Sequence, residues 1–244
     1  MKILSNFKYI CEMQFRRNSG YMIFFALIQI MLSVGILVGF TYLIPENDAD
    51  SILFLATGAP TLILIMTGIV ILPQQIGTDK AEGYHEFSRS WPVRRVVILL
   101  ADTVLWLLIT LPGIVVSSLV ANLHYDMAYD ISLTIIPVFL LIALTAIGVG
   151  YGIAYLFSPN KAQIITQVVV FAALMFSPIN FPMERLPQWL QTIHTFLPLH
   201  SMAEVMRASL ASASFSAGMD NYINLTVWCL LGYGGAIFIL NKAD

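Results

Sequence analysis

Charge is what this sequence has least of. Only 11% of its 244 residues are Asp, Glu, Lys or Arg, where soluble domains carry roughly 25%. Apolar residues make up 58% and the mean hydropathy is +0.81, so a water-soluble core is excluded and an integral membrane protein is expected. Nothing in the composition points to a nucleic-acid partner. Cysteine is almost absent, too. Cys11 and Cys229 make no disulfide framework, and both read as apolar fillers. No GxxxxGK[ST] phosphate loop occurs, so ATP is not bound by that device. No HExxH occurs either. The four histidines, His85, His124, His194 and His200, fall in different loops, which leaves no ligand set for a metal. No catalytic, cofactor-binding or metal residue is therefore assigned, and the chain is not read as an enzyme.

Charge is scarcest inside the long apolar runs. A spanning helix needs about 20 apolar residues. Five runs qualify, at 21–44, 52–72, 96–120, 132–156 and 222–241, and a shorter sixth lies at 162–181. Asp102, in the third, is the only charged residue in any of them. Its place in the first turns of that span, on the face of Arg95, suits an anion at a helix N-terminus. A functional carboxylate is the other reading. Proton-coupled transport needs more intramembrane charge than this, so energy is expected from a partner chain. A secondary transporter or channel working without an ATPase is the alternative.

Where charge does occur, it is sided. With the N-terminus inside, the inner segments hold Lys2, Lys8, Arg16, Arg17, Lys80, Arg89, Arg94, Arg95, Lys161 and Lys242, and the outer segments hold Arg185 and Arg207. That asymmetry places both termini in the cytoplasm of a plasma (inner) membrane protein. The outer loops are acidic, "PENDAD" (45–50) and "HYDMAYD" (124–130). The first apolar run starts at residue 21 and is too long for a signal core, so no cleavable signal is expected. Before it, Ile3, Leu4, Phe7, Ile10 and Cys11 share a helical face beside Lys2, Lys8, Arg16 and Arg17. That pattern predicts an interfacial helix over 1–20; an unstructured positive flank is the alternative.

Three further stretches carry information. "GVGYG" at 148–152 resembles a potassium filter in letters only, because it lies within one apolar run. Gly148 and Gly152, like Gly35 and Gly39, predict close helix packing. His200 and Glu204 are four apart and read as a simple hydrogen bond on one helix face. The polar segment 74–95 between spans two and three places Glu82, His85, Glu86 and Arg89 on one face of a short helix ended by Pro92. It predicts a docking handle for a cytoplasmic partner; an ordinary solvated loop is the alternative. The segment 179–220 is broken by Pro182, Pro187 and Pro198 and cannot be one helix. Yet Trp189, Leu190, Ile193, Phe196 and Leu197 form an apolar face within it, expected to be buried against neighbouring spans or a second chain. Pro187 suits the first position of one short helix. A second is expected from about Ser201, with Glu204 and Arg207 paired one turn apart.

Taken together, these stretches resemble the membrane subunits of the type 2 ABC transporter permease family over nearly the whole chain. The N-terminal segment resembles that family's connecting helix. Glu82, Gly83, Pro92, Val93 and Arg95 fit its coupling loop. Phe181, Pro182, Leu186, Pro187, Trp189, Leu190, Pro198, Glu204 and Arg207 fit its signature between spans five and six in order. Ser177 and Pro178 stand where a glycine is usual, and Ala101 and Asp102 replace an early Gly-Lys of span three. The resemblance implies one all-α permease domain over 1–244, with six transmembrane helices and broken, re-entrant outer helices. It implies ATPase-coupling residues Glu82, Gly83, His85, Glu86, Pro92 and Arg95. It also implies an outer gate built from Pro182, Pro187, Trp189, Pro198, Glu204 and Arg207. A second permease chain, homodimeric or similar, and cytoplasmic ABC ATPase subunits carrying ATP and Mg are the expected partners, alongside the lipid bilayer. Export is the expected direction.

Overall fold

The computed structural model describes residues 2–42, 49–125 and 129–242. The acidic residues at 45–48 and 126–128 lie outside them. Every regular element among the described residues is helical. In chain order these are α1 (Lys2–Thr41), α2 (Ala49–Ile65), a π turn (Met66–Ile71), α3 (Leu72–Ala81), α4 (Tyr84–Arg89), α5 (Arg95–Tyr125), α6 (Ile135–Leu156), α7 (Pro159–Phe171), a second π turn (Ala172–Phe176), a 3-10 turn (Met183–Arg185), α8 (Gln188–Phe196), α9 (Pro198–Leu210) and α10 (Met219–Lys242). Six stretches are long and apolar enough to cross a membrane: Phe7–Phe40, Ser51–Ala81, Arg95–Tyr125, Ile135–Leu156, Pro159–Phe176 and Met219–Lys242. They coincide in order with the six apolar runs, and the all-α membrane fold is as expected.

The second span is the axis of the bundle. From Leu55 to Val70 it has no charged residue and its large side chains are buried, as expected of a helix apolar on all sides. Glycines let two neighbours approach closely. A Cβ on Gly150 would lie 2.0 Å from the Gly68 carbonyl, and one on Gly232 would lie 2.2 Å from the Gly148 backbone. The pentapeptide 148–152 therefore packs α6 against the second span through Gly150 and against α10 through Gly148. Gly35 and Gly39 behave differently from the expectation. A Cβ on either meets nothing within 4 Å, so they pack against none of the described residues.

Prolines within the spans free backbone groups, and side chains of neighbouring helices take them up. Pro60 leaves the Ala56 carbonyl without its helical donor, and the Tyr129 hydroxyl donates to it at 3.2 Å. Beside Pro112, the carboxamide of buried Gln29 (α1) enters the backbone ladder of α5. Gln29 Nε2 donates to the Ile109 carbonyl at 2.9 Å. Gly113 N–H donates to Gln29 Oε1 at 2.9 Å. The same Nε2 reaches Thr67 Oγ1, in the first π turn, at 3.1 Å. One side chain thus ties three spans near their middles.

Several sequence expectations need correction. Residues 1–20 do not form a separate interfacial helix, because α1 runs unbroken from Lys2 to Thr41. Gly20 is tolerated within it, and Asn18 donates back to the Gln14 carbonyl at 2.8 Å. Forty residues make about 60 Å of helix, twice the hydrocarbon thickness. The first turns of α1 pack instead through Ile10 against Val97 and Ala101 of α5. The segment 74–95 is not all loop, since α3 carries the second span on to Ala81. Nor does the dipole account for Asp102. It lies two turns into α5, beyond the reach of that effect, and accepts a hydrogen bond from Tyr151 at 2.9 Å.

Candidate functional site

Two regions collect the sequence-predicted residues. The first lies at the end of the bundle that holds the N-terminus. Glu82 caps α3, and Gly83 turns the chain with φ +79°, a left-handed conformation open to glycine at little cost. The short α4 follows. Glu82 therefore stands off α4 rather than sharing its face with His85 and Glu86, as the spacing had predicted. Glu82, Glu86 and Pro92 are exposed. Phe87 is 62% exposed and meets Trp91 edge to face at 5.8 Å.

The underside of α4 rests on four of the helices beneath it. The Arg17 guanidinium (α1) lies 3.5 Å over the Tyr84 ring and pairs with Asp79 (α3) at 2.8 Å. Burial holds the Tyr84 phenol above its ordinary pKa, with Arg17 opposing, so it stays neutral. His85 packs against Tyr155 (α6) at 5.7 Å. Arg95, the first residue of α5, reaches the Ser88 carbonyl at 3.5 Å. Displacing α4 would therefore be felt in α1, α3, α5 and α6. A small cavity lined by Arg17, Asp79, Tyr84, His85, Arg95 and Asp102 lies between them.

The second region lies at the opposite end, between the fifth and sixth spans. Pro182 precedes the 3-10 turn, Pro187 precedes α8, and Pro198 is the first residue of α9. The second short helix thus starts three residues before the expected Ser201, because proline fits a first helical position. The last carbonyls of α8 are satisfied from α10. Trp228 Nε1 donates to the Phe196 carbonyl at 2.9 Å, and Asn224 Nδ2 reaches the Thr195 and Phe196 carbonyls at 3.2 Å each. Helix α9 is sunk in the bundle. Helix α8 keeps its apolar face outward, with Trp189 65% and Phe196 72% exposed. That face is not buried against the neighbouring spans of this chain.

Glu204 and Arg207 do meet. Arg207 is 0% exposed and donates through Nη1 to the Glu204 carboxylate. Its Nη2 donates to the Ile179 carbonyl at 2.7 Å. The guanidinium lies 4.2 Å from the Phe54 ring and 5.5 Å from the Phe215 ring. Burial lowers its pKa to about 10 against the opposing pull of Glu204, so it remains charged at neutral pH. Burial also lowers the pKa of His194 and of His200, which stay neutral there. His194 Nε2 lies 2.9 Å from the Phe176 carbonyl. Arg207 thereby joins α9, the second span and the end of the fifth. Among the described residues, no three His, Cys, Asp or Glu side chains gather as a metal site.

Residues 6–211 match the family described as ABC-2 type transporter. The chain belongs to that family. A comparison with curated proteins finds no significant match. The stretch matched in this permease includes the first region and the second as far as the residue after α9, so Phe215 and the last span lie beyond it.

Of the expected gate residues of the permease, Glu204 and Arg207 pair; the three prolines set where helices break, and Trp189 faces outward. Sequence reasoning missed Phe54, Phe215 and Ile179 around Arg207. It also missed Gly58, where a Cβ would lie 2.3 Å from the Ile179 carbonyl. Their only signal was two aromatics and a glycine in a chain whose residues are 12% aromatic. Gln29 was missed as well, although a lone carboxamide in an apolar run is a signal.

Proposed function

We propose that this permease is the membrane-spanning subunit of an ATP-driven exporter, paired with a second permease chain and driven by separate cytoplasmic ABC ATPase subunits. The observation that carries this reading is α4. It is a short helix set off from α3 by a left-handed glycine, with Glu86 and Phe87 exposed on its outer side, Glu82 exposed just before it, and Arg17, Asp79 and Tyr155 beneath it. Such a helix can take a push from a soluble partner and pass it to four helices at once. ATP and Mg belong to that partner.

In this reading both termini are cytoplasmic, the membrane is the plasma membrane, and α8 and α9 close the outer end of the path. The lysine and arginine asymmetry supports the orientation. A cysteine replacing Ser214, exposed after α9, should react with an impermeant thiol reagent in sealed cells, and one replacing Glu86 should not; the reverse pattern would invert the topology.

The function is tested by co-purification and coupling. The permease should retain a soluble ATPase in detergent. Glu82→Lys with Glu86→Lys should leave the permease in the membrane but abolish substrate-stimulated ATP hydrolysis. Normal stimulation in that double variant would place the handle elsewhere, and absence of any bound ATPase would remove the ATP-driven reading.

A further inference from the structure

Between the second half of α5 and the first half of α6 the bundle opens a groove of about 450 Å³. Its walls are Leu111 and Val115 of α5 and Ile136 and Leu140 of α6, all exposed. Its floor is Met206 and Leu210 of α9, 1% and 6% exposed. Ser118 is the one polar residue in the lining. The groove lies within the length of two spans, in the half of the membrane away from the N-terminus.

The surroundings restrict what can fill it. Water at that depth would lack polar partners. A void would leave the lining side chains without contacts on one side. The volume lies in the range of small-ligand pockets, about 300–1,000 Å³. The groove is also continuous with the apolar outer faces of α5 and α6, which lipid covers.

We infer that the groove is a binding site for one acyl chain of a phospholipid in the leaflet away from the N-terminus. The chain lies along α5 and α6 with its methylenes on Met206 and Leu210. Met206 is the neighbour of Arg207 and Leu210 lies one turn on from it, so the bound chain packs the face of α9 beside the one that holds the Glu204–Arg207 pair. Occupancy thereby holds α9 against the second span. The inference rests on the membrane placement of the spans and not on ATP-driven export.

The purified transporter, reconstituted in vesicles of phosphatidylcholine, receives increasing mole fractions of a phosphatidylcholine with a diazirine midway along one acyl chain. After irradiation, adducts are mapped by peptide mass spectrometry. Labelling of the peptides carrying Leu111–Ser118 and Met206–Leu210 should saturate. Labelling at Ile164 and Val168, exposed on α7, should rise in proportion to the probe. Ser118→Trp, which fills the groove, should raise the probe concentration for half-saturation about tenfold, equivalent to about 1.4 kcal/mol, with α7 labelling unchanged. If that variant does not fold, saturation in the native chain decides alone. Proportional labelling in the groove would mean bulk lipid only and overturn the site. So would a groove that stays unlabelled while Ile164 and Val168 are labelled, since a second permease chain and not lipid would then cover it. No ATP turnover is read, so failure here is separate from failure of the transport reading.

Discussion

Arg207 offers the sharpest test of how this permease is held together. Its guanidinium is wholly buried, with one carboxylate, one carbonyl and two aromatic rings around it. Removing the carboxylate with Glu204→Ala leaves a buried charge without its counter-ion, a change that costs about 3–5 kcal/mol in buried pairs. The Glu204 side chain is 27% exposed, and the carbonyl and rings remain, so the lower end, about 3 kcal/mol, applies. Arg207→Ala removes more. It leaves the Ile179 carbonyl unsatisfied, at about 1–3 kcal/mol, and loses a desolvated cation–π contact of about 2 kcal/mol. Its total should reach about 4 kcal/mol.

Once Arg207 is gone, Glu204 guards nothing, so the double variant should cost about 4–5 kcal/mol rather than the sum. The difference, about 2–3 kcal/mol, is the coupling of the pair. For a chain of this size 1 kcal/mol moves Tm by about 2–4 °C. Each single variant should therefore melt roughly 10 °C low and the double variant only slightly lower still. The assay is tryptophan fluorescence of detergent-solubilised permease at one fixed scan rate, because Tm of an irreversibly unfolding protein depends on that rate. Losses that add to within about 0.5 kcal/mol would refute the coupling.

Further expectations concern pH, the carboxamide clamp and the glycine contacts. His194 and His200 have folded-state pKa values below their ordinary 6.5, so the unfolded chain binds more protons below that pH and stability must fall on acidification through it. Melting scans across that window should show the decline, and the double variant His194→Asn, His200→Asn should flatten it. Gln29→Leu keeps the side chain's bulk but removes its hydrogen bonds to the Ile109 carbonyl, the Gly113 N–H and Thr67, a loss of about 1–3 kcal/mol to be read as a lowered Tm. Gly150→Ala would press a Cβ onto the Gly68 carbonyl and should cost about 1–3 kcal/mol. Gly35→Ala, whose Cβ meets none of the described residues, should leave the melting of the dispersed monomer unchanged or raise its stability by up to about 1 kcal/mol.

The spans were legible because the bilayer imposes one rule on every crossing helix, its length in apolar residues. Nothing comparable marks where a helix bends or stops bending. Asn18, Ser19 and Gly20 read as a boundary between a surface helix and a span, yet α1 passes through them, since a single glycine weakens a helix without ending it. The end of the second span was misplaced for the converse reason. Gln74 to Ala81 are polar enough to look like loop, but in α3 they stand at the end of the bundle, where Gln74 reaches Thr166 at 2.9 Å and Asp79 meets Arg17. The Glu204–Arg207 pair could be read from spacing because three residues make a helical turn's neighbours. Its aromatic walls could not, because Phe54 and Phe215 are separated by 161 positions and no periodicity links them. A charge placed in an apolar helix must find partners, so the sequence states that Arg207 has some. Only the packing of α9 against the second span says which, and the same packing sets Met206 at the floor of the groove that lipid can reach.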